Sequence, residues 1–244
     1  MKGMTNRAQG RWASWLATAA ATLLLAACAA PQKAAAPQAV LPSWNEGPSR
    51  TAIVEFVRTV TQPGGPDFVA AEDRIAVFDN DGTLWSEQPL YFQMLFALDR
   101  VKEMAPQHPE WAKRQPFKAV IEGDKATLAK AGQGGLLKIV GATHTGMTVD
   151  DFTQSVTQWT ATARHPRFNQ PYTSMTYVPM RELLDYLRAN GFKTYIVSGG
   201  ETEFMRPWSQ TAYGVPPEQV IGSGFATTFE MRDGKPVLWR QGKL

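Results

Sequence analysis

The chain has 244 residues, 43% hydrophobic and 19% charged, with a formal net charge of +3 and one cysteine. That length is ample for one core plus an inserted subdomain, and a lone cysteine excludes an internal disulfide. Lys2, Arg7 and Arg11 carry the whole basic excess, so residues 28 onward are neutral overall, no basic stripe interleaves with aromatics, and nothing supports nucleic-acid binding.

The basic head runs into an apolar stretch, Trp12 to Ala27, of signal-peptide length. Leu25-Ala26-Ala27-Cys28 resembles a bacterial lipoprotein signal, which implies cleavage after residue 27 and lipid attachment to Cys28. Ala29 resembles the class that is not retained at the inner membrane. The expected location is the cell envelope, as an outer-membrane lipoprotein facing the periplasm. Residues 28 to 48, rich in Ala, Pro and Gln, read as a flexible tether. Folded structure is expected from Ser49, which caps a short helix with Ile53, Phe56, Val57 and Val60 on one face.

A Pro-Gly-Gly-Pro turn at 63 to 66 precedes a short apolar strand, about Arg74 to Phe78. Directly after it comes Asp79-Asn80-Asp81-Gly82-Thr83-Leu84. In an extended backbone Asp79 and Asp81 face one side while Asn80 points away and is structural. Two carboxylates at a strand end suit a nucleophile and a proton donor, with a divalent cation suppressing their repulsion.

The motif resembles the first motif of the haloacid dehalogenase-like hydrolases, Asp-x-Asp-Gly-Thr. The resemblance extends from about residue 70 to the end of the chain. It implies that Asp79 attacks phosphorus, that Asp81 acts as general acid and then base, and that Mg2+ lies at Asp79 and Asp81. Thr83 is expected beside the phosphoryl group. Glu87 is placed near a substrate amine by the same likeness, with Trp85 as a possible pocket wall.

The stretch from 89 to 175 reads as mainly helical, with candidates at Tyr91 to Met104, Leu128 to Val140 and Val149 to Ala163. Its prolines fall between the periodic segments. Asp150 and Asp151 cap the third helix, Phe92, Phe96, Trp111 and Trp159 are core, and His108, His144 and His165 lack metal-ligand spacing. A helix at Met180 to Ala189 leads to a second strand, Phe192 to Val197. Ser198-Gly199-Gly200 is then a turn where backbone can approach an anion, and Glu201 starts a helix. Pro207 fits only that helix's first turn, and Arg206 belongs to a solvated face. The sequence ends with a hairpin, Phe225 to Arg232 and Pro236 to Trp239, turning at Asp233-Gly234.

Ser198-Gly199-Gly200 resembles the second motif of the same family, in its phosphoserine-phosphatase-like branch. Ser198 and Gly199 would then hold the phosphoryl group. The expected fold is α/β: a Rossmann-like parallel sheet from residues 49–88 and 176–244, with a helical cap at 89–175. The expected activity is magnesium-dependent hydrolysis of a small phosphorylated metabolite through an aspartyl phosphate. A third-motif lysine and fourth-motif acids are not recognisable after Ser198, because Asp233 sits in a hairpin turn and Lys243 beside the terminus. The chain therefore resembles a member lacking its last strands. The alternatives are an impaired, lipid-anchored binding protein, a phosphotransferase of the same fold, or a dehalogenase of small halo-acids, the last disfavoured by Asp81 and Gly-Thr.

Overall fold

The structure, a computed structural model, describes residues 40–242. The signal segment, Cys28 and Lys243 lie outside the described residues. Among the described residues no helix is long and apolar enough to cross a membrane.

Helix α1 (Pro48–Thr61) leads into strand β1 (Ile75–Phe78). Helices α2 (Phe92–Met104), α3 (Phe117–Glu122), α4 (Lys125–Lys130), α5 (Gly132–His144) and α6 (Val149–Thr162) fill the insertion. Then come α7 (Val178–Ala189), β2 (Lys193–Glu201), α8 (Thr202–Tyr213) and β3 (Val220–Ser223). A hairpin of β4 (Thr227–Arg232) and β5 (Lys235–Arg240) closes the order.

Strands β1, β2 and β3 form a parallel sheet in that order, so the fold is α/β. Parallel neighbours need crossover connections. The first crossover carries the whole insertion and α7; the second carries α8. Ile196 and Val220 are buried on one face, with Phe78 packed against them. The opposite face exposes Ile75, Val77, Val197 and Ile221, although parallel strands are commonly covered on both faces.

The insertion shares its core with the α/β part. Phe92, Phe96, Phe152 and Trp159 pack with Leu184, Ile196, Phe204 and Trp208 in one cluster. A second cluster under α2, α3 and α5 buries Trp111, Phe117 and Ile139. The expected core roles of Phe92, Phe96, Trp111 and Trp159 are therefore met.

Several local expectations need correction. Packed structure begins before Ser49: Leu41 is 3% exposed among Val57, Val60, Leu183 and Leu187. Trp44 Nε1 also donates to the Pro179 carbonyl at 2.8 Å, tying the preceding segment to α7. Ser49 is not the cap of α1, because Pro48 already occupies its first turn after Gly47. Phe56 faces solvent, since the buried stripe follows Val57 and Val60. The stretch expected as one helix from Leu128 is split between α4 and α5, where Gly132 takes a left-handed φ of 58°. At α6, Thr148 is the cap and Asp151 completes a reciprocal capping box, while Asp150 makes no cap.

Pro207 lies inside α8 rather than in its first turn. Arg206 is more than a solvated side chain, for it donates to the carbonyls of Pro217 at 2.9 Å and Val220 at 3.3 Å. The hairpin turns where expected, with Asp233 and Gly234 both at positive φ, the geometry of a two-residue primed turn, although its first strand starts at Thr227 rather than Phe225 and its second runs Lys235–Arg240. Its last strand joins the insertion: Arg240 N donates to Met147 O and Gly146 N to Arg240 O.

Candidate active site

Strand β1 ends at Phe78 and delivers Asp79 to the carboxyl edge of the sheet. The turn that follows is fastened by Asn80, which is 2% exposed. Its side-chain oxygen accepts from the Tyr213 hydroxyl at 3.0 Å. Its carbonyl accepts from the backbone of Thr83, Leu84 and Trp85. Asn80 is thus structural, as its position between the acids predicts.

Gly82 sits at φ 71°, and a Cβ there would lie 3.0 Å from Glu87 Oε2. Glycine is required twice over, for the left-handed turn and for the approach of that carboxylate. The result is a cavity of about 550 Å³ lined by Asp79, Asp81 and Glu87 from this segment and by Ser198, Gly199 and Gly200 from β2. Thr83 does not line it; its backbone N–H donates to the Asn80 carbonyl at 3.2 Å. Trp85 does not wall it either: the ring is wholly buried, stacked on Trp208 at 4.2 Å and edge-on to Phe92 at 4.7 Å. It reaches the site through Nε1, which donates to Asp81 Oδ1 at 2.6 Å.

Burial raises the Asp81 pKa, and the charges of Asp79 and Glu87 push the same way, while the Trp85 bond opposes them. A proton held more firmly than usual suits a carboxyl that must donate one.

Ser198-Gly199-Gly200 is not a turn after the strand; β2 runs on through Glu201. The register with β3 shifts between Val197 and Glu201, so the segment bulges. Ser223 Oγ donates to the Gly199 carbonyl at 3.0 Å, and Gly200 N donates to Ser198 Oγ at 3.2 Å. The bulge is possible because Gly222 lies opposite: a Cβ there would be 2.4 Å from the Gly200 carbonyl.

Tyr91, Gln93, Met94, Val140, Glu201, Ser223 and Phe225 also line the cavity. No sequence motif marks them, because most come from the insertion and the strands that close around the site. Among the described residues that line it, none is Lys or Arg. Asp233 lies in the hairpin turn, outside the lining.

Among the described residues no three acidic, histidine or cysteine side chains gather to enclose a cation by themselves. Magnesium does not need such a cage, since it keeps several waters and takes one or two carboxylates plus substrate phosphate. The Asp79 carboxylate and the Asp81 backbone carbonyl supply oxygen donors of that kind, so the residues fit the ion.

A family profile described as HAD, haloacid dehalogenase-like hydrolase, matches residues 76–240. The chain belongs to the haloacid dehalogenase-like hydrolase family. Hydrolases of this family generally use Mg2+. A solved structure of a phosphoserine phosphohydrolase-like protein from Francisella tularensis subsp. tularensis SCHU S4 is similar at 19% identity, with a TM-score of 0.34. The match covers 64% of this chain and 60% of that one. No curated protein matches the chain.

Behind the cavity of this haloacid dehalogenase-like hydrolase lies a buried polar network. Glu201, 3% exposed, accepts from Arg240 through Oε1 and from Gln93 Nε2 through Oε2 at 3.3 Å. Its backbone N–H donates to Gln93 Oε1 at 3.0 Å. Arg240 also donates to the His144 carbonyl at 2.6 Å and lies 3.9 Å over the Phe152 ring. His144, fully buried, places Nδ1 2.8 Å from Thr143 Oγ1 and Nε2 3.7 Å from Glu201 Oε2.

Burial lifts Glu201 from 4.5 to about 7, with Arg240 opposing and Glu203 assisting. Burial, with Arg240 and Arg100, lowers His144 from 6.5 to about 3. Folded Glu201 binds its proton more tightly than unfolded, so its contribution to stability falls as pH rises from 4.5 to about 7. Folded His144 binds its proton less tightly, so its contribution falls as pH drops from 6.5 to about 3. Between 4.5 and 6.5 the two slopes oppose each other. His144→Gln is therefore expected to have a melting temperature, relative to the parent, that declines from pH 4.5 to 6.5. Calorimetric scans of both proteins across that range check it, and a difference that stays constant with pH would contradict the assignment.

Proposed function

We propose that this chain hydrolyses a small phosphate monoester through an aspartyl phosphate formed on Asp79. The convergence of Asp79, Asp81 and Ser198 on one cavity supports this reading above all. Asp79 Oδ1 accepts from Asn80 N at 2.7 Å, which fixes the carboxylate at the strand end. Asp79 attacks phosphorus while Asp81 protonates the departing ester oxygen. Asp81 then takes a proton from the water that cleaves the acyl phosphate. The Ser198 hydroxyl and the Gly199 amide donate to phosphoryl oxygens. The carboxylate of Asp79 and the backbone carbonyl of Asp81 would hold magnesium, which would supply positive charge against the phosphoryl oxygens.

Glu87 gives the reading a substrate preference. Its carboxylate lies against Gly82 on the cavity wall, suited to an amine or other cationic group on the phosphorylated metabolite. The chain acts, in this proposal, at the periplasmic face of the outer membrane, tethered through lipid on Cys28.

The test is phosphate release from p-nitrophenyl phosphate and from small amino-alcohol phosphates. Release that requires magnesium is expected, and none with any ester at any magnesium concentration would overturn the proposal. A second reading, a non-catalytic binding protein, is favoured by the lack of Lys or Arg among the described lining residues. It predicts ligand binding that is indifferent to magnesium and leaves no phosphoaspartate.

A further inference from the structure

Asp81 at the cavity is held by a residue from outside the lining. Trp85 is wholly buried, its ring stacked on Trp208 with planes 21° apart and contacted edge-on by Phe92. Its backbone is fixed as well, since Trp85 N donates to Asn80 O and Trp85 O accepts from Gly82 N at 2.9 Å. An indole has one N–H and no acceptor, so the ring presents a single donor in a single direction. That donor meets Asp81 Oδ1 at 2.6 Å, a short contact for an N–H donor.

We infer that Trp85 is a positioning residue for Asp81: its indole N–H occupies Oδ1 and leaves Oδ2 to exchange the proton with the leaving group and the attacking water. The inference rests on the phosphatase reading above and goes beyond it by breaking the equivalence of the two carboxyl oxygens. An N–H donor on Oδ1 keeps the acid proton off that oxygen. The proton then resides on Oδ2, moves to the ester oxygen as its bond to phosphorus breaks, and is restored when water attacks the Asp79 phosphate. The side chain can otherwise rotate about χ2, which is broad for a carboxylate, and present either oxygen or neither. A misplacement of about 1 Å at such a group lowers turnover on the order of 100-fold.

The test is Trp85→Phe, which keeps an aromatic ring against Trp208 and removes the donor. Two esters separate positioning from general damage. p-Nitrophenolate departs with little protonic help, whereas the oxygen of phenyl phosphate needs it. The kcat is expected to fall about 10-fold on p-nitrophenyl phosphate and about 100-fold on phenyl phosphate, with KM held within about twofold. Equal losses on both esters, or a loss confined to KM, would overturn the inference.

The contact itself is read without turnover and without relying on the folding of Trp85→Phe. In the 15N spectrum of the parent chain, one indole N–H should be shifted downfield, exchange slowly with solvent, and lose both properties in Asp81→Ala. No such signal would overturn the contact. Its presence in a chain that hydrolyses no ester would leave the contact standing while the phosphatase reading, and the role built on it, fall.

Discussion

Asp79→Asn is expected to lower magnesium-dependent phosphate release on the order of 10⁴-fold or more without lowering the melting temperature. The substitution is nearly isosteric. Its Oδ1 keeps the ability to accept from Asn80 N, the one local hydrogen bond the Asp79 side chain makes among the described residues. The amide, however, is a poor nucleophile, and neither Asp81 nor Ser198 is free to replace it. Asp81 must remain free to exchange protons, and Ser198 Oγ already accepts from Gly200 N. Stability should hold or rise, because one charge leaves a wall where Asp79 and Glu87 both disfavour ionised Asp81. Phosphate release and thermal melting, measured on the same preparations, check both halves. Equal release by parent and variant would sink an Asp79-centred mechanism. Unchanged affinity for a phosphorylated ligand, together with no release by either protein, would instead favour the binding-protein reading.

The first half of this site was legible in the chain because it is local. An apolar strand, two acids at alternate positions and a turn glycine lie within one short segment, and pleat geometry alone brings the acids together. Ser198 could be found for the same reason, as a small-residue break after an apolar run. What the pattern concealed was that the break is a bulge inside a longer strand. That depends on Gly222 of β3 lying against Gly200, a contact that periodicity cannot report. The tether expectation failed at Leu41 and Trp44 because sparse apolar residues in an Ala- and Pro-rich stretch carry no period, yet α1 and α7 leave a groove for them. Phe56 erred in the opposite direction: it fits the apolar stripe of α1 in sequence, but the packed stripe is narrower than the sequence stripe. Trp85 was visible as a candidate, and its role changed because its polar atom, rather than its ring, meets the site.

Arg240 was the least legible residue of all, and its removal should have the largest effect on stability. It lies on β5 while its partners come from α5, β2 and α6, so no spacing in the chain announces the cluster. Arg240→Met is expected to destabilise the protein by about 3–5 kcal/mol, the usual consequence of deleting one member of a buried ion pair. Methionine can fill the space between Phe152 and Phe225 but leaves the His144 carbonyl and Glu201 Oε1 without their donor. Glu201, lifted to about 7 with Arg240 present, must then take up a proton near neutral pH to remain buried. The defect should therefore grow with pH, being smaller at pH 5 than at pH 8. Adding Glu201→Gln to Arg240→Met should recover part of the loss at pH 8 and little at pH 5, because the neutral amide has no proton to gain. Urea unfolding of the parent, the single and the double variant at both pH values measures this coupling. A pH-independent loss would mean that Arg240 acts through packing alone. Glu201 directly follows the Ser198-Gly199-Gly200 bulge and lines the cavity, so a pH-dependent loss would show that the ion pair secures the end of β2 beside the cavity.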